Sequence, residues 1–240
     1  MVMSIRNLTR CILQDVRYKR STMIILLSVV PFFLVMSVLP LSSSSFGTWS
    51  SLYEFILSFR FEFFYCPLFI LLIGSLTNLN DWILVRRYER RERIAVYDTV
   101  LVMATAGFFT LIVFGFGLLI HTIIKFLIYP NFPGYSAIFL YHPERTEQPA
   151  VILFIILFYL VMSSIGILYV LLKGLTNHSF IAAILVIALT VIDRFTLSVI
   201  PIMFTLGYQH FPFQLISALL LLMFMLIGIA RVQLKYKDFL

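Results

Sequence analysis

Long apolar runs set the pattern of this chain, and polar residues collect between them. The first run is Met23–Leu41, "MIILLSVVPFFLVMSVLPL"; others cover roughly Leu57–Leu76, Thr99–Ile120, Val151–Leu172, Phe180–Phe204 and Phe213–Ala230. Each is near the ~20 residues that an α-helix needs to cross a hydrocarbon layer of about 30 Å. Backbone N–H and C=O groups have no water to bond there, so each run is expected to satisfy its own as a helix. The pattern predicts an all-α polytopic membrane protein with six transmembrane helices. The first run follows basic residues, as a signal sequence would. It is too long for a signal core and lacks a small-x-small cleavage site, so it is expected to be retained as a span.

Composition removes the soluble alternative. The chain is 61% hydrophobic and 12% charged, with 25 Phe and 12 Tyr in 240 residues, where soluble domains average roughly 45–50% apolar and 25% charged. Mean hydropathy is +1.02. Six spans and their loops use up the length, which predicts a single transmembrane domain over residues 1–240 with no room for a globular one. Cys11 and Cys66 lie in unrelated surroundings and do not suggest a disulfide framework.

Charge sets the orientation. Arg6, Arg10, Arg17, Lys19 and Arg20 precede the first run; Arg86, Arg87, Arg90, Arg91 and Arg93 lie between the second and third; Lys173 lies between the fourth and fifth; Arg231, Lys235 and Lys237 follow the sixth. The alternate loops hold only Lys125 and Arg145, and Arg60 and Arg194 fall within runs. Basic residues favour the cytoplasmic side, so both termini and the arginine cluster are expected there. Trp49, Tyr129, Tyr135 and Tyr141 stand where an outer aromatic belt would lie. A net charge of +7 partitioned in this way describes topology, and no nucleic-acid partner is expected.

Two cytoplasmic segments have a helical pattern of their own. In Ser4–Arg20, Ile5, Leu8, Ile12 and Val16 recur at helical spacing while Arg6, Arg10 and Arg17 point elsewhere, which predicts an amphipathic helix lying in the membrane interface. In "NDWILVRRYERRER", Asn80 or Asp81 can cap a helix that places Trp82, Val85 and Tyr88 on one face. Arg86, Arg87, Arg90 and Arg91 occupy the other face, and Glu89 precedes Arg93 by four residues in the favoured order. Any basic loop can hold anionic membrane lipids. A capped helix with an aromatic face and a fan of guanidinium groups also makes a docking surface for a protein.

A six-helix chain of this length, with an amphipathic N-terminal helix and "RYERRERIAVYDTVLVMATAGFF" between spans two and three, resembles the permease subunits of ABC-2-type exporters. It is most similar to the short ones of Gram-positive bacteria, which work with a separately encoded ATPase. The resemblance implies that Trp82–Arg93 is a coupling helix seated on an ABC ATPase dimer, with Ser4–Arg20 as the interface helix. It also implies pairing with a second copy or a similar permease. The Glu-rich, small-residue signature of many larger members is absent, and the arginine-rich form stands in its place. No G-x-x-x-x-G-K-[ST] run occurs, so ATP and its Mg²⁺ are expected in the partner and no cofactor in this chain.

The competing class is an embedded enzyme. His121, His142, His178 and His210 are scattered over different segments with no H-E-x-x-H, no metal site is indicated, and the "GYSA" turn at Gly134–Ala137 lies in an outer loop. No catalytic residue is assigned. The unusual residues inside spans are Arg60, Glu62, Asp193 and Arg194, each costing at least about 2.5 kcal/mol at mid-membrane unless paired or wetted. Asp193 and Arg194 point about 100° apart on one helix and cannot satisfy each other. All four fall in the outer half, so Glu62 with Arg194, or Arg60 with Asp193, are the pairings depth allows. Pro31, Pro67 and Pro201 permit kinks. The functional expectation is the membrane path of an ATP-driven exporter for a hydrophobic or amphipathic substrate such as a peptide, antibiotic or lipid. The alternative is a non-transporting immunity or sensor subunit that binds a toxin at its outer face.

Overall fold

The structure is a computed structural model that describes Arg20, Ser21, Ile24 and Ser28 individually and residues 61–77, 91–123, 147–204 and 212–236. Within these ranges the side chains of 91–95, 118, 120–122, 147–151, 212 and 234–236 are not described. Helices α1 (Phe61–Thr77), α2 (Arg91–Ile123), α3 (Glu147–Thr176), α4 (Ser179–Phe195), α5 (Val199–Ile202) and α6 (Pro212–Tyr236) make up the described secondary structure. No strand occurs among the described residues, in keeping with the all-helical expectation. Three segments are long and apolar enough to cross a membrane: Val96–Gly117, Ile152–Thr176 and Phe213–Gln233. Apart from the four isolated residues, the first expected span and the interface helix lie outside the described residues, as do residues 78–90 of the arginine segment.

α2 is described from Arg91 onwards, so Arg91 to Arg93 belong to the same helix that continues as the third apolar run. Its 33 residues extend for about 50 Å, well beyond a hydrocarbon layer of about 30 Å.

α3 is the hub, touching α1, α2, α4 and α6. Its span is 72% buried against 17% for that of α6, which marks α3 as central and α6 as peripheral. A helix surrounded on all sides must be apolar all round, and its sequence is. It must also admit close neighbours. A Cβ at Gly166 would lie 2.6 Å from Val102 Cγ1, 2.8 Å from Ile73 Cδ1 and 3.3 Å from Phe69 Cε1. Glycine is what lets α1, α2 and α3 meet at that level, as small residues do between membrane helices generally. Hydroxyls within the spans return to their own helices: Thr105 Oγ1 donates to Leu101 O at 2.7 Å, Thr110 Oγ1 to Ala106 O at 2.8 Å and Ser164 Oγ to Leu160 O at 2.8 Å. That is how apolar surroundings tolerate them.

α3 and α4 form an antiparallel pair joined only by Asn177 and His178. Asn177 takes φ 58°, a left-handed conformation that asparagine adopts more readily than most residues. Its N–H donates to Lys173 O at 3.0 Å and closes the end of α3. Lys173 lies in the last turn of α3 rather than in a free loop, and its Nζ donates to Thr77 O at 2.6 Å. A cation here meets a carbonyl in the last described turn of α1, toward the negative end of the helix dipole.

Candidate functional site

The sequence reads Phe180–Phe204 as one continuous span, and the structure breaks it. α4 stops at Phe195, Ser198 turns left-handed at φ 50° and ψ 34°, and α5 starts at Val199. Pro201 supplies the physical reason. In an unbroken helix its ring would press on the carbonyl of Leu197, and it has no N–H to bond there. With the break ahead of it, Pro201 falls in the first turn of α5, where a missing donor costs nothing.

A break within an apolar segment exposes backbone groups, and several of them find partners across it. Thr196 N donates to Ile192 O at 3.0 Å, and Ser198 N to Asp193 O at 2.6 Å. Thr196 Oγ1 donates to Ile192 O at 2.8 Å and Ser198 Oγ to Arg194 O at 3.1 Å. The new N-terminus of α5 is held by the Asp193 carboxylate: Val199 N donates to Oδ1 at 3.0 Å and Ile200 N to Oδ2 at 2.9 Å. Asp193 thus accepts two backbone donors across the break. Arg60, the partner expected for it, lies outside the described residues.

Arg194 points the other way. Its Nη1 lies 3.7 Å from Glu62 Oε1, with side-chain exposures of 22% and 2%. This is the first of the two pairings that depth allowed. The separation is that of an ion pair rather than a hydrogen bond. Glu62 Oε2 is buried and makes no hydrogen bond. Glu62 sits in a π-helical turn, Phe61–Tyr65, that opens α1. Single π turns widen a helix locally and recur at functional sites.

The pair is backed by rings. Phe61 packs on Phe158 and Phe204 with centroids 5.9 and 5.5 Å apart, and Phe154 meets Phe204 at 5.4 Å. Phe114 reaches Phe158 at 5.4 Å, while Tyr65 and Phe69 reach Phe109 at 6.4 and 5.4 Å. Edge-on and tilted rings at these distances are each worth about 0.5–1.5 kcal/mol beyond their buried area. Phe204, fully buried, ties the segment beyond the break into this wall. Lower on α1, Cys66 Sγ lies 3.6 Å from Thr190 Oγ1 on α4. Thr190 already gives its one proton to Ile187 O at 2.9 Å, which leaves the thiol as the donor. Cys66 is a buried free thiol.

The structure thus brings together Glu62 and Arg194, and shows Asp193 holding the backbone at the start of α5. Of the coupling residues, Arg91 is seen only as the first residue of α2, and Trp82, Arg86, Arg87, Tyr88, Glu89 and Arg90 lie outside the described residues. Sequence reasoning missed the break, although Pro201 with Thr196 and Ser198 just ahead of it was the available signal. It also missed the Lys173–Thr77 contact, for which a lone basic residue between two spans was the only hint. No family model, curated protein or solved structure matches the chain.

Proposed function

We propose that this chain is the transmembrane permease subunit of an ATP-driven ABC-2-type exporter, with six spans, an N-terminal interface helix and both termini in the cytoplasm. One observation carries the reading: a chain without a Walker A loop places five arginines within Arg86–Arg93, over an aromatic face, directly before its third span. That segment serves as the coupling helix and docks on a separate ATPase dimer that holds ATP and Mg²⁺. A second copy or a similar permease completes the path. The α2 helix, which runs from Arg91 through the third span, would pass movement of the docked segment directly into the membrane.

The outer half supplies the element that moves. The break at Thr196–Ser198 lets α5 tilt on α4, and the Arg194–Glu62 pair links that joint to α1. Aromatic side chains are abundant and polar ones few, so the substrate is hydrophobic or amphipathic: a peptide, antibiotic or lipid.

The test is ATPase activity of the chain reconstituted in vesicles with its ATPase. Exchanging Arg87 and Arg90 for Glu should lower the stimulated rate while leaving insertion of the chain unchanged. Unaltered coupling would return the arginines to lipid binding. Protection of cells from an external toxin without any ATPase would favour the immunity or sensor reading instead.

A further inference from the structure

α6 presents most of its surface outward, with Phe224 70% and Val232 57% exposed. A groove of about 280 Å³ runs between it and α2, walled by Val96, Thr99 and Val100 on one side and by Phe224, Ile227 and Arg231 on the other. Gly228 also lines it, and lines a second apolar groove of about 540 Å³ on the α3 side as well. A Cβ at Gly228 would meet nothing within 4 Å, so the surface is open at the residue that the two grooves share.

Polarity in this groove is graded. Phe224 to Arg231 spans seven residues, about 10 Å along the axis, with apolar walls at one end and a guanidinium at the other. Arg231 is exposed and forms no ion pair among the described residues. It closes the sixth apolar run, level with the first turns of the third, where headgroups begin. Arginine is suited to phosphate oxygens by charge and by its planar fork of donors.

We propose that this groove binds an anionic glycerophospholipid, with the phosphate on Arg231, one acyl chain between α2 and α6, and the second chain crossing Gly228 into the neighbouring groove. Charge complementarity at one end and a dry, open channel at the other select a lipid over a peptide or a soluble anion. The proposal requires only that the chain lie in a membrane, and it stands apart from export.

Native mass spectrometry of the purified full chain in detergent tests it, with phosphatidylglycerol and phosphatidylcholine of identical acyl chains as probes. Wild type should retain phosphatidylglycerol in preference. Arg231→Gln should weaken that lipid about fivefold, to the level of phosphatidylcholine, since one basic residue near an anionic surface contributes roughly that factor. Arg231→Lys should keep most of the preference. Gly228→Leu, which enters open space, should reduce both lipids. An undiminished preference in Arg231→Gln would overturn the phosphate assignment. Unchanged lipid retention in Gly228→Leu, with loss of a dimer, would give this face to a second copy of the chain and remove the lipid from it.

Discussion

Replacing Asp193 separates two accounts of a charge inside a membrane segment. If the carboxylate served as an ionic partner, Asn and Ala would remove the charge equally and cost the same. The structure instead gives each oxygen one backbone donor, Val199 N at 3.0 Å and Ile200 N at 2.9 Å. Asp193→Ala then leaves two N–H groups without an acceptor, at about 1–3 kcal/mol each. A total of about 3 kcal/mol, in the lower half of that range for two donors, is expected. Asp193→Asn keeps one carbonyl oxygen and should lose about half of that. At about 2–4 °C per kcal/mol for a chain of this size, Ala should lower the melting temperature by about 6–12 °C and Asn by about 3–6 °C. Melting of the detergent-solubilised full chain, followed by intrinsic fluorescence, reads the difference. Equal losses for Asn and Ala would refute the capping account and restore the ionic one.

The remaining predictions follow from the same contacts. Arg194→Ala should destabilise by about 3 kcal/mol, the low end for a buried pair because Arg194 is partly exposed; adding Glu62→Ala should recover part of it, and strictly additive losses would exclude the pair. Gly166→Ala should be destabilising by about 1–3 kcal/mol, because its methyl meets Val102 and Ile73 at 2.6 and 2.8 Å; a melting temperature equal to that of wild type would show that the helices part without cost. Cysteines placed at Ser44 and Thr146 should be labelled from outside intact cells and one at Arg90 should not; labelling at Arg90 would reverse the orientation.

What could be read from the chain followed from how strong the local signal was. The third, fourth and sixth apolar runs correspond to α2, α3 and α6 because a long uncharged run has one stable arrangement in hydrocarbon. Their ends shifted, as in α2, whose helix reaches back to Arg91 through residues too polar to count as span. The Glu62–Arg194 pair was legible because depth along two helices leaves few candidates. The task of Asp193 was not, because it depends on N–H groups that exist only once the helix breaks at Ser198. A window of hydropathy registers a charged residue at position 193 but cannot register the backbone that it serves. The convergence on Gly166 was hidden for a similar reason: a glycine in an apolar run marks a close approach without saying which neighbours make it.

The fastening of α1 has a consequence for where movement can occur. Near its start Glu62 faces Arg194 of α4; further along, Cys66 meets Thr190 of the same helix; at its end Thr77 O receives Lys173 of α3. Glu62 and Thr77 stand fifteen positions apart, about 22 Å of helix, and the stretch beyond Cys66 is held mainly by apolar packing. α3 and α4 are themselves joined by a two-residue turn. α1, α3 and α4 should therefore shift as one body, because displacing any of them strands a polar group in an apolar setting. The compliance lies outside that body, at α5 beyond its break and at α6, whose span is 17% buried. Arg194 and Asp193, adjacent in sequence, stand on the boundary: one holds the rigid body together and the other holds the joint closed. A ligand that competes for the Asp193 oxygens would release α5 without loosening α1 from α4. A charge arriving at Glu62 would do the opposite.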